Sequence, residues 1–304
     1  MDPINVFRTT PGLVTTRDEF GFEYNPDSTP LTSCSNVDVT DSGKIRMRGG
    51  WETWVATSLG AAHSAFPGAY RLAFVEGDAL SVMDEHGTVT RLRTVTESLP
   101  MSFVDDMYGR IFYTNTAENG YIENDIAYNW VLATPRTGPS TYKQYEYPPK
   151  GHLLGRMGSR TVVAYENYLF LSEPYNPFSY NLAECTIPID SPARMIREVS
   201  DGVWVSSGTA IFYFNGRDPK TLDPIRRHPR PAVRGTDVEY PSTEILEEVL
   251  GLGVMVTAED AILYLTDDGR VINMTNLAVD IPAGATGSAM VVDGRYITKI
   301  NTYT

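Results

Sequence analysis

Lysine is scarce in this chain: 5 of its 304 residues, against 20 arginines. Lysine mostly serves solvation, whereas arginine packs and hydrogen-bonds at contacts, so the bias points toward assembly with other proteins. Cysteine is nearly absent, with only Cys34 and Cys185, far apart and without metal-ligand spacing. That excludes a disulfide framework and a cysteine metal site, and both are expected to behave as small buried hydrophobes. The four histidines, His63, His86, His152 and His228, are scattered and form no HxH or HExxH arrangement. His86 falls in a turn and is expected to be exposed. No GxSxG elbow, P-loop or GxGxxG is present. No apolar run approaches the roughly 20 residues needed to span a bilayer. The opening MDPINVFRTT lacks the charged-then-apolar form of a signal peptide, so a soluble protein made in a cytoplasm is expected. Basic charge is also short: the net charge is −13, which disfavours general nucleic-acid binding.

What is present is turn chemistry set between β-branched and aromatic runs. Val254–Thr275 reads as three short strands joined at Ala258–Asp260 and Asp267–Gly269, an antiparallel meander. Arg71–Arg93 repeats the shape, turning at Glu76–Asp78 and Glu85–Gly87. Val203–Gly216 repeats it with turns at Ser206–Gly208 and Asn215–Gly216, and Asn36–Met47 supplies two strands around Asp41–Gly43. The closing glycines Gly43, Gly87, Gly216 and Gly269 are separated by 44, 129 and 53 residues. The middle gap equals three steps of about 43 residues, the length of one four-stranded propeller blade. Two further units are therefore expected near positions 130 and 173, within Arg110–Leu132 and Arg160–Pro174.

Six units predict an all-β fold, a six-bladed β-propeller over residues 36–304 with an extended, proline-bearing N-terminal arm at 1–35. Two strands follow the arm (Ser35–Asp38, Lys44–Met47) and two end the chain (Ala289–Val292, Arg295–Ile300). Sharing one blade between the termini would close the ring and leave no open sheet edge. Near-continuous apolar runs such as IFYF at 211–214, ILYL at 262–265 and YLFL at 168–171 suit strands covered on both faces. Ser242–Leu250 is the one segment with a helical option, and it reads equally as an inner strand. Two Pro-rich stretches, 134–150 and 218–241, have no strand pattern and are expected to be long loops of the kind that bind something.

Candidate contact residues lie in these loops. Arg226, Arg227, His228, Arg230 and Arg234 form a basic run suited to an acidic partner or to phosphates, the plain alternative being a solvated charge run that balances nearby acids. Tyr142, Tyr145 and Tyr147 form an aromatic run. The Asp-rich turns at Asp41, Asp84, Asp267–Asp268 and Asp293 are read as hairpin turns, not as calcium ligands. Asp105, Asp106, Glu198 and Glu248 are expected at the starts of inner strands, where a glycosidase propeller would place its carboxylates, but nothing sets them apart from surface acids. No catalytic group, cofactor or metal is expected.

Three segments resemble the β-propeller nozzle or hub proteins in the short tails of podovirus-type bacteriophages. They are CSNVDVTDSGKIRMRGGWE (Cys34–Glu52), AYNWVLATPRTGP (Ala127–Pro139) and SRTVVAYENYLFLSEPYNPFSYN (Ser159–Asn181), together about a fifth of the chain. The resemblance implies a structural, non-enzymatic virion protein of the tail, part of a homo-oligomeric ring that guides DNA out without binding it specifically. Its implied partners are other tail proteins: an adaptor, the portal-proximal ring, and fibres or a spike, with no membrane. The rival reading is a peripheral adaptor or receptor-binding propeller, with aromatic loops such as Tyr142–Tyr147 or Tyr175–Tyr180 stacking on host glycans.

Overall fold

A computed structural model describes residues 59–60, 62–68, 71–131, 145–216, 218–241, 252–275, 280–292 and 294–301, and the backbone alone of 37–39 and 45–47. The N-terminal arm, Cys34, Tyr142, the Ser242–Leu250 segment and most of the 134–150 loop lie outside the described residues. Every element among the described residues is a β-strand.

β1 (Val37–Val39) and β2 (Ile45–Met47) form a hairpin. Four strands then make the first full sheet: β3 (Ala62–Pro67), β4 (Leu72–Glu76), β5 (Ala79–Met83) and β6 (Val89–Thr94). The second sheet holds β7 (Ser102–Asp105), β8 (Ile111–Thr114), β9 (Asn119–Glu123) and β10 (Ile126–Asn129). The third runs through β11 (Leu153–Met157), β12 (Arg160–Tyr165), β13 (Tyr168–Glu173) and β14 (Asn176–Tyr180), with β15 (Thr186–Pro188) also pairing on β13. The fourth holds β16 (Met195–Val199), β17 (Gly202–Ser206), β18 (Ile211–Asn215) and β19 (Pro224–His228). The fifth holds β20 (Val238–Pro241), β21 (Leu252–Thr257), β22 (Ile262–Leu265) and β23 (Val271–Asn273). β24 (Thr286–Val292) and β25 (Arg295–Asn301) close the order as a second hairpin. Every pairing is antiparallel between chain neighbours except β13 with β15. The sheets are the meanders that the turn spacing predicts.

Consecutive sheets pack face to face, and the alternation of side chains along each middle strand explains how. On β8, Ile111 and Tyr113 join a cluster with Val75, Leu80 and Val82 of the sheet before, while Phe112 joins Val163 and Tyr180 of the sheet after. β12 sends Val162 and Ala164 one way and Val163 the other. β17 does the same with Val203 and Val205 against Trp204. On β22, Leu263 and Leu265 face the fourth sheet, and Tyr264 packs toward Val291 and Tyr296 of the terminal hairpin. A period of two with both phases apolar gives the unbroken runs seen in the sequence. The first strands β7, β11 and β16 lie side by side, so the stack fans about its inner edges.

Polar ties cross the same gaps. The Trp204 indole N–H donates to the Thr266 carbonyl at 2.8 Å, and that of Trp130 to Pro177 at 2.9 Å. Between the fourth and fifth sheets, Arg194 pairs with Glu259 at 2.9 Å and Arg197 with Asp237 at 2.5 Å. The neighbouring Asp237 raises the Arg197 guanidinium further above its ordinary range.

The segment expected to be a loop at 218–241 contains two whole strands, β19 and the inner strand β20. β19 escaped the pattern because four of its five residues are exposed, so no apolar phase marks it. Its opening Pro224 is tolerated because an edge strand can spare a ladder N–H there. In the 145–150 remainder of the other loop, the Glu146 N–H donates to Tyr180, extending the edge of the third sheet.

Tight sheet contacts leave little room at Gly253, where an added Cβ would stand 2.2 Å from the hydroxyl oxygen of the fully buried Tyr264. Gly253→Ala is expected to destabilise the fold by about 1–3 kcal/mol through overpacking, read as a lower urea midpoint.

Candidate functional site

The Asp-x-x-Gly turns cap themselves. Asp84 Oδ1 accepts the backbone N–H of His86 at 2.9 Å and of Thr88 at 2.8 Å, and the Thr88 bond leads in holding its carboxyl below the usual range. Gly87 supplies the left-handed residue at φ 81°, and Gly269 does so at φ 85° in the Thr266–Gly269 turn, where the Thr266 hydroxyl accepts the Arg270 N–H. His86 is exposed as expected, and Cys185 is a buried thiol. Asp41 and Asp293 lie outside the described residues.

Asp106, between β7 and β8, builds the same turn and then does more. Its Oδ1 accepts the N–H of Tyr108 at 2.9 Å and of Arg110 at 3.0 Å, and its Oδ2 pairs with the Arg110 guanidinium at 2.6 Å. Both side chains are mostly buried, 11% and 17% exposed, which makes this pair a brace. The Arg110 guanidinium carbon lies 5.1 Å from the ring centres of both Tyr108 and Phe178. Cation–π contact therefore holds the Tyr108 ring from behind while 66% of that residue stays exposed.

Two other chain reversals meet this turn. At the β11–β12 turn the Gly158 N–H donates to Glu198 Oε1 of β16 at 2.7 Å. At the β13–β14 turn the Tyr175 N–H donates to the Ser159 carbonyl at 2.8 Å. Asp105 and Arg156 face each other at 3.9 Å. The result is a cleft of about 300 Å³ at the C-terminal ends of β7, β11 and β16, with Tyr108, Tyr175, Asp105, Arg156 and Glu198 among its walls. Of the four carboxylates noted in the sequence, Asp105, Asp106 and Glu198 converge here, at or just past the ends of β7 and β16 and not at strand starts as expected, and Glu248 lies outside the described residues. Asp106 is committed to its brace, and Glu198 accepts from a backbone amide.

The residues proposed for contacts divide. Arg226, Arg227 and Arg230 are exposed on and just past the edge strand β19. His228 is not available for docking: its Nε2 meets Asp260 Oδ1 at 2.8 Å, the side chain is 15% exposed, and it ties the fourth sheet to the fifth. Arg234 is also an internal tie. Its guanidinium donates to the His152 carbonyl at 2.7 Å while its backbone bridges Thr286 of β24, so it reaches past the fourth sheet. Tyr147 is 68% exposed and Tyr145 half-buried. The sequence reading missed Tyr108 and Arg110; the signal was the Asp106–Gly109 turn, which puts an aromatic at its tip.

No protein-family model matches the chain, and no curated protein matches it. Among solved structures, it is similar to the extracellular domain of a B. thetaiotaomicron protein at 9% identity and TM-score 0.50, covering 81% of this chain and 32% of that one. It is also similar to BBS1N in complex with ARL6DN (11% identity, 84% and 78% covered, TM-score 0.49). A gluconolactonase from Xanthomonas campestris is a third neighbour (13% identity, 84% and 88% covered, TM-score 0.46). At such identities a likeness speaks to the fold alone, and the fold is read from the chain's own all-β stack of antiparallel sheets.

The tie at His152 carries a pH signature. Its Nε2 donates to the Ala193 carbonyl at 2.9 Å, and burial first, then the charge of Arg234, lowers its pKa below the ordinary 6.5. The unfolded chain then binds this proton more readily, so stability present above that value is lost as pH falls through it. Melting temperature is expected to drop between about pH 8 and about pH 5, with a smaller drop for His152→Gln, measured by thermal unfolding.

Proposed function

We propose that this protein is a structural component of a phage tail, a nozzle- or hub-type propeller whose copies form a ring around the path of the exiting DNA. The observation that carries the reading is the outer edge of the fourth sheet. β19 is an exposed edge strand, and Arg226, Arg227 and Arg230 stand on or beside it with their side chains in solvent. An edge strand offers unpaired backbone groups, and arginine is the cation enriched at interfaces. On a chain of net charge −13, such a basic edge complements the acidic surface of the next copy. A patch that meets a different patch on its neighbour gives a head-to-tail contact, and such contacts make a ring where the rotation between copies closes.

Two further features support the reading. Among the described residues the full sheets number five, and the two-stranded hairpins β1–β2 and β24–β25 stand at the two ends of the described chain. Two strands from each would make a sixth blade and close the propeller. Among the described residues, no helix is long and apolar enough to cross a membrane. The role is structural rather than catalytic, located in the virion tail, with adaptor, portal-proximal and fibre or spike proteins as neighbours. An acidic lumen would repel the DNA backbone and let the duplex pass.

Purified protein is expected to form rings visible by negative-stain electron microscopy. Reversing charge with Arg226→Glu, Arg227→Glu and Arg230→Glu together should raise the concentration needed for assembly by about tenfold or more, with circular dichroism unchanged. A wild-type protein that stays monomeric at all concentrations, or rings indifferent to the substitutions, would overturn the proposal. The surface charge of the assembled ring tests the lumen: a basic bore inside an acidic exterior would count against it.

A further inference from the structure

The cleft between the second, third and fourth sheets is not needed for a ring contact at β19, and its construction calls for an occupant. We propose that it binds a neutral, hydroxyl-rich saccharide gripped between Tyr108 and Tyr175.

The aromatic walls are ordered before anything binds. Tyr108 is 66% exposed, yet its ring rests on the Arg110 guanidinium, which Asp106 holds in turn. Tyr175 is 65% exposed and occupies a left-handed backbone position at φ 56°. Glycine takes that position freely, whereas a bulky side chain is strained there. An aromatic kept where glycine would relax the turn, with its N–H pinned to Ser159, marks a ring serving something outside the fold. Exposed, pre-ordered aromatic faces bind the C–H faces of sugars with little entropy left to lose.

Polar chemistry sets the ligand class. Three carboxylates, Asp105, Asp106 and Glu198, are matched by three guanidiniums, Arg156 and Arg160 in the wall and Arg110 on Asp106. Within a strongly acidic protein the cleft is therefore locally balanced, which favours neither a phosphate nor a cation. Asp105 and Arg156, 3.9 Å apart and each about two-fifths exposed, place an acceptor beside a forked donor. Adjacent hydroxyls of a sugar, each both donor and acceptor, complement such a pair. The volume of about 300 Å³ lies at the small end of ligand pockets and fits a short saccharide, not a long chain.

The site stands apart from the ring, so it is tested on the full chain in whatever oligomer it adopts. An array of neutral and acidic oligosaccharides should show saturable binding of neutral members, and the strongest is then titrated by calorimetry. Tyr175→Gly is expected to keep or raise the melting temperature while weakening binding by about tenfold or more. Tyr108→Ala should weaken binding similarly. A purely structural role for Tyr175 would instead leave binding untouched in the stable glycine variant. Absence of neutral binders, selection of acidic glycans alone, or binding that survives both substitutions would overturn the proposal.

Discussion

Burial of the strands on both faces is the constraint from which the rest of this structure follows. A sheet of four short strands cannot cover two apolar faces by itself, so each must sit between neighbours. The middle strands show this residue by residue: Trp204 belongs to one inter-sheet cluster, and Val203 and Val205 on either side belong to another. A polar substitution at such a position would expose itself to one neighbour whatever its phase. The same demand applies at the ends of the stack, where Tyr264 finds Val291 and Tyr296 of the terminal hairpin. It also explains why the ion pairs Arg194–Glu259 and Arg197–Asp237 sit at the gap between two sheets.

Packing the sheets side by side brings together turns that are far apart in the chain. The cleft joins residues near 106, 158 and 175, presented by three different reversals, with Glu198 from strand β16. The Asp106 turn satisfies its own backbone, whereas the Gly158 and Tyr175 amides are taken up by Glu198 and Ser159 of other segments. Their convergence is a property of the stack. The acids gathered there accordingly have mixed duties: Asp106 organises a turn and fixes an arginine, Glu198 receives an amide from the next sheet, and Asp105 faces the opening opposite Arg156.

Arginine serves in three ways. At Arg110 it is a planar surface on which an aromatic ring rests; at Arg234 it is a long tether between sheets; on β19 it is exposed charge. The abundance of arginine over lysine thus reflects internal work as well as surface contact. A planar, five-donor group can satisfy several acceptors where an ammonium offers a point charge.

The repeat of strand and turn, the all-β class and the approximate place of each meander were legible in the linear sequence, because turn chemistry and side-chain alternation are local. Segment 218–241 was not, since an exposed edge strand such as β19 carries no apolar phase and owes its form to pairing with β18. The three carboxylates of the cleft could be named as candidates, yet neither their place at strand ends nor their roles could be read from the sequence. The run from Arg226 to Arg234 looks uniform in one dimension. Only the tertiary structure separates the exposed arginines from His228, drawn onto Asp260, and Arg234, drawn onto the His152 carbonyl. The reason is physical: whether a charge meets solvent or a partner depends on atoms tens of residues away, and no local pattern records their distance.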